Sequence, residues 1–162
     1  MTSEGALQMK RIAMGLLFAA SLPVAAEDCP KVPKAIETAI ADHIEAMRAT
    51  EYCEARTVRS DGKLSIVIYT AEGACGSDSN EKPGTCSSIW DRYLVGERNG
   101  KIIGPEPVGG KFDFSDRKLR ISGNVVDISG LTPGANDAFC CPTVPASRKY
   151  KVSKDGFEEI AP

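Results

Sequence analysis

At 162 residues, 42% of them hydrophobic, the chain is long enough for one domain with a modest core. Its 20 basic and 22 acidic residues nearly cancel, which excludes the strongly basic face of a nucleic-acid binder. Six cysteines stand against a single histidine, with neither CxxC nor HxxxH spacing, so disulfides in an oxidising compartment are expected rather than a metal centre.

The chain opens with the features of an export signal. Lys10 and Arg11 precede an apolar run from Ile12 to Ala20 that is too short to span a bilayer as a helix. Pro23 and Val24-Ala25-Ala26 then supply the helix break and small residues of a cleavage site. The expectation is a signal peptide over residues 1–26, with Met9 as an alternative start to Met1, and a mature domain over 27–162. No cysteine follows the cleavage point, so a lipid anchor is not expected. Without residues 1–26, which hold Glu4, Lys10 and Arg11, 18 basic and 21 acidic residues remain, a net charge of −3. No later apolar run approaches membrane-spanning length, and the expected location is the periplasm or the exterior.

From Pro33 to about Ala49 the apolar residues Val32, Ile36, Ile40, Ile44 and Met47 recur at helical spacing, with charged residues opposite. His43 lies at the edge of that stripe and is read as a structural residue. Cys53 to Val58 is a candidate strand, and Ser60-Asp61-Gly62-Lys63 a turn. Leu64 to Thr70 is a strong strand with apolar residues on both faces, as expected of a central strand. Ala71 to Ser88 reads as a long loop rich in breakers. Ile89 to Glu97 follows as a strand, with a hairpin at Asn99-Gly100. Its partner starts at Lys101 and is expected to stop at Gly104, before Pro105 and Pro107. Gly109-Gly110 is expected to be a turn. Lys118 to Ile121 and Val125 to Ser129 form a second hairpin about Ser122-Gly123-Asn124, with Leu119, Ile121, Val126 and Ile128 inward. Leu131 to Ser147 is expected to be irregular. Arg148 to Val152 and Phe157 to Ile160 make a closing hairpin through Lys154-Asp155-Gly156. The fold class is therefore α+β: one N-terminal amphipathic helix packed on a mainly antiparallel sheet, braced by disulfides.

Cys75 and Cys86 in the long loop are the favoured disulfide. Cys29 and Cys53 flank a helix of roughly 22 Å, at 1.5 Å per residue, so their pairing is disfavoured. Instead each is expected to meet one of the adjacent Cys140 and Cys141, which would be strained if bonded to each other. The chemistry-bearing residues offer no strong frame. No GxSxG, phosphate loop or calcium loop is present, and a hydrolytic triad would have to use His43. The remaining candidates are the acids Glu72, Asp78 and Glu81 with Trp90, read together as a binding loop. No catalytic, cofactor or metal residue is assigned.

The segments Tyr69-Thr70-Ala71-Glu72-Gly73-Ala74-Cys75-Gly76, Gly109-Gly110-Lys111 and Asn136-Asp137-Ala138-Phe139-Cys140-Cys141-Pro142-Thr143, with Tyr150 beyond, carry a resemblance. Over roughly 58–160 the chain resembles small secreted or periplasmic bacterial proteins with a D-x-x-CCPS-like C-terminal segment. In place of the acidic DGxxD-type loop of that group, Arg59 to Ser65 keeps only Asp61. The resemblance implies export and fold rather than an activity. The functional expectation is a non-enzymatic binding protein, of the scale of inhibitor or immunity proteins, whose partner is another envelope or secreted protein. The alternatives are a small envelope hydrolase using loop carboxylates and a structural envelope component.

Overall fold

The computed structural model of the protein describes residues 29–73, 90–138 and 141–160. One α-helix, α1 (Lys34–Met47), is followed by nine strands among the described residues. They are β1 (Thr50–Glu51), β2 (Thr57–Ser60), β3 (Leu64–Glu72), β4 (Trp90–Arg98), β5 (Lys101–Gly110), β6 (Ser115–Ser122), β7 (Val125–Thr132), β8 (Val144–Val152) and β9 (Phe157–Ile160). Every described pairing is antiparallel.

The strands form two sheets rather than one. The first runs β1-β3-β4-β5, with β2 also pairing β3; the second runs β6-β7-β8-β9. On β3 the period of two separates the layers. Leu64, Ile66 and Ile68 face the second sheet and pack with Leu94, Val108, Phe114, Leu119, Val126, Ile128 and Tyr150. Val67 and Tyr69, on the other face, pack with Val95 against Ile36 and Ile40 of α1. The strand is covered on both faces, as its sequence suggested. Met47, expected on the buried stripe, is 39% exposed at the helix end.

The hairpins at Asn99-Gly100 and Gly123-Asn124 form where expected; Asn99 and Gly100 both take positive φ (54° and 77°), which the tight right-twisted connection requires. Four boundaries differ from expectation. Cys53–Ala55 is a single 3-10 turn, and the strand begins only at Thr57. Strand β5 continues through both prolines to Gly110. It lies at the sheet edge, and the register slips between Leu94 and Gly96 so that Pro105 needs no ladder donor. The turn falls at Lys111–Asp113 instead of Gly109-Gly110. A Cβ on Gly109 would sit 2.1 Å from the Phe114 carbonyl oxygen, so glycine is what lets the chain cross from one sheet to the other here. Finally, β7 reaches Thr132 and β8 starts at Val144, where Leu131 pairs with Pro145 in the stretch read as irregular.

The disulfide expectation is corrected too. Cys29 and Cys53 are bonded to each other, with Cα atoms 5.2 Å apart. The helix is 14 residues long, about 21 Å at 1.5 Å per residue. Extended chain covers about 3.3 Å per residue, so the flanks before Lys34 and after Met47 together outreach the helix and fold back along it. Arg48, in the left-handed conformation at φ 53°, starts that reversal. Cys141 is disulfide-bonded as well, hence to neither Cys29 nor Cys53. Cys75, Cys86 and Cys140 lie outside the described residues.

Candidate functional site

Follow the core face of β3 along the strand and it changes character. Leu64, Ile66 and Ile68 fill the space between the sheets, but the next residues on that face are Thr70 and Glu72. Strand β4 does the same in register, since Leu94 is followed on its inner face by Arg92 and then Trp90, opposite Thr70 and Glu72. Polar side chains do not close an apolar core, and the sandwich opens there into a cleft of about 400 Å³. Tyr52, Ala55 and Thr57 line one side, and Ser115 and Asp116 of β6 close it from the second sheet.

The floor is an ion pair that spans the two sheets. Arg92 Nε donates to Asp116 Oδ1 at 2.8 Å and Nη2 to Oδ2 at 3.0 Å, a parallel two-bond clasp. Nη1 donates to the Ala55 carbonyl at 2.9 Å and to the Thr70 hydroxyl. The Thr57 hydroxyl adds a longer bond to Asp116 Oδ2 at 3.4 Å. The Arg92 and Asp116 side chains are 9% and 5% exposed, so both charges are out of water and fully committed to each other. The mouth is different. Glu72 and Trp90 are half-buried cross-strand partners, whose Cβ atoms stand roughly 5 Å apart in such a pair. The Tyr52 hydroxyl donates to Glu54 at 2.9 Å at the outer edge.

Of the four residues read as a binding loop, Glu72 and Trp90 are strand ends and come together at the cleft; Asp78 and Glu81 lie outside the described residues. Sequence reasoning passed over Thr70, Arg92 and Asp116. The signal for the first two was present: on strands whose alternate residues are core, the inward series turns polar at Thr70 and Arg92. For Asp116 nothing local distinguished it from its charged neighbours.

Three further clusters are structural. Arg56, its side chain 4% exposed, clasps Glu37 of α1 and Glu51 of β1 beside the Cys29–Cys53 bond. These carboxylates push its guanidinium still higher in pKa, the Glu51 hydrogen bond acting most strongly. His43 Nδ1 is hydrogen-bonded with the Tyr69 hydroxyl at 2.7 Å, and the ring packs edge-on against Tyr93. Burial holds its imidazole below the ordinary value. In the Asn136–Thr143 segment, Asp137 accepts the Gly134 and Thr143 amides, both at 2.7 Å, and the Thr143 hydroxyl at 2.8 Å. The acid and the hydroxyl residue that frame the cysteine doublet therefore tie the loop closed, and these bonds keep the Asp137 carboxyl below its usual range.

No protein-family model matches the chain, and neither curated proteins nor solved structures give a match. Among the described residues, no group of three or more His, Cys, Asp or Glu side chains could hold a metal ion, and no helix is long and apolar enough to cross a membrane.

Proposed function

We propose that the protein is an exported, non-enzymatic binding protein of the bacterial envelope, with the cleft between the sheets as its recognition site. Its guest is either a small ligand or a side chain offered by another envelope or secreted protein. The observation that carries this reading is the division of labour in the cleft. The Arg92–Asp116 clasp is saturated and rigid, so it shapes the site without being available to move a proton, while Glu72 and Trp90 stand at the mouth. A hydrolase needs two carboxylates with separable roles. Of the two described carboxylates lining this cleft, Asp116 is held by Arg92 and Thr57, which leaves Glu72 alone. The Cys29–Cys53 bond supports export, because such bonds persist in oxidising compartments.

The test is retention. The purified, oxidised protein is equilibrated with an envelope extract, washed and denatured, and the released compounds and proteins are identified by mass spectrometry. The expected result is a species retained unchanged by the wild type and lost in Thr57→Phe, whose ring would reach into the cleft from beside Asp116. Conversion of the retained species would support the hydrolase instead. Equal retention by the variant would remove the cleft from the function, and no retention at all would overturn the binding reading.

A further inference from the structure

The charge and ring chemistry of the cleft select a type of guest, and this step rests on the binding reading above. Of the described residues that line the cleft, three are acidic or basic: Glu72, Arg92 and Asp116. Arg92 and Asp116 neutralise each other at 2.8 Å, with the arginine's other nitrogen engaged by the Ala55 carbonyl and the Thr70 hydroxyl. An anion entering the cleft would meet a guanidinium already clasped by a carboxylate. The charge that remains is that of Glu72, for which no hydrogen bond or ion pair is present among the described residues, and the balance of the described lining residues is therefore net negative.

Directly across the β3–β4 ladder from Glu72 is Trp90. An indole face attracts cations more strongly than any other side-chain ring, within about 6 Å of its centroid. A cation that close to Trp90 also lies within reach of a carboxylate on the neighbouring strand, whose Cβ is roughly 5 Å away. Ring attraction and ionic attraction thus converge on one place. Enclosure by the sheet ends strengthens both, since the lower local dielectric weakens screening. A metal ion is a poor match: one carboxylate and an indole do not supply the several oxygen ligands that hard cations require. An organic ammonium, whose charged head is drawn to the carboxylate and the ring face and whose carbon substituents gain from apolar contact, matches both walls.

We propose that this cleft binds an organic ammonium group at its mouth, held between the Trp90 ring and the Glu72 carboxylate. Two sources carry that chemistry: a free alkylammonium compound and the side-chain ammonium of a lysine on a partner protein.

Trp90 is the chain's single tryptophan, so its fluorescence reports directly on the site. The purified, oxidised protein is titrated at low salt with choline, with butylammonium, and with a short lysine peptide capped at both ends. 3,3-Dimethylbutanol, the neutral isostere of choline, and potassium chloride serve as controls. At least one ammonium probe should give a saturable change in Trp90 emission, at least about tenfold tighter than the neutral isostere. The strongest probe identifies the source: the peptide points to a protein partner, choline or butylammonium to a free ligand. Glu72→Gln should weaken that probe by about tenfold while leaving the melting temperature unchanged. If that variant does not fold, the wild type still decides, because raised salt must weaken the ammonium probe and spare the isostere. Equal binding of isostere and ammonium, salt-independent binding, or no response to any ammonium probe overturns the proposal. A species retained from envelope extract in the face of such a failure would leave the binding reading standing and sink only the choice of cation.

Discussion

Arg92 illustrates how one side chain can set both the shape of a site and the join between two sheets. It sits on β4, faces the second sheet, and finds on β6 the carboxylate that balances it. Burying such a pair costs about as much desolvation as its attraction returns, so its net worth to stability is small. Removing one partner is another matter, because the survivor is left charged and out of water. Arg92→Met should therefore destabilise the fold by about 3–5 kcal/mol. Replacing both, as Arg92→Met with Asp116→Leu, should recover most of that loss. Denaturant unfolding with an unchanged slope measures both; a single-variant loss below about 1 kcal/mol would mean that the pair behaves as an exposed one. The double variant has a second use. It keeps Glu72 and Trp90 while removing the polar floor, and so separates what the mouth contributes from what the floor contributes.

At the scale of elements, most of the pattern was legible. The helix could be read from Ile36, Ile40 and Ile44, β3 from its alternating apolar faces, and three hairpins from Asn99-Gly100, Gly123-Asn124 and the Lys154-Asp155-Gly156 turn. What failed were inferences about endings. Pro105 and Pro107 were taken to stop a strand, yet on an edge strand with a register slip they cost little. The Cys29–Cys53 bond was discounted by measuring the helix without measuring how far extended flanks can return. That bond has a consequence for the site. It holds the 3-10 turn whose Ala55 carbonyl receives Arg92, next to Tyr52 at the edge of the cleft. Its ends are 24 positions apart in sequence, so its loss in Cys29→Ser with Cys53→Ser should cost about 3 kcal/mol by the loop-closure relation. Amide exchange should also accelerate in α1 ahead of β7. Unchanged unfolding after both substitutions would show that the Arg56 clasp on Glu37 and Glu51 alone suffices to hold the helix.

For the whole molecule, alternation tells which residues share a face but not which sheet covers that face. The division into two sheets depends on the crossing at Lys111–Asp113, where Gly109 lets the backbone pass close to Phe114. Gly109-Gly110 marked a turn beside that crossing but not that the chain changes sheets there, and the cleft, which exists only because two sheets meet, was hidden with it. The assembled molecule also has a predictable response to pH. Between about pH 7.5 and about pH 5.5 an ordinary histidine titrates, and His43 is the chain's single one. Packed against Tyr69 and Tyr93, its imidazole is lowered from the usual 6.5 by burial. The unfolded chain therefore binds a proton more readily than the folded one in this window, and stability must fall as the pH falls. Further down, Asp61 and Asp137 are both lowered from 3.8, mainly by backbone amides they accept, so the stability they add is lost as each becomes protonated in the fold. Asp91 works in the opposite sense, because burial raises it from 3.8 and favours its protonated form in the fold. The expected profile of melting temperature is a shallow decline from about pH 7.5 to about pH 5.5, and a steeper one below about pH 4. His43→Gln, which keeps a hydrogen-bonding partner for the Tyr69 hydroxyl and cannot titrate, should flatten the upper decline and leave the lower one in place. An upper decline of equal slope in that variant would assign it to other groups and remove His43 from the account.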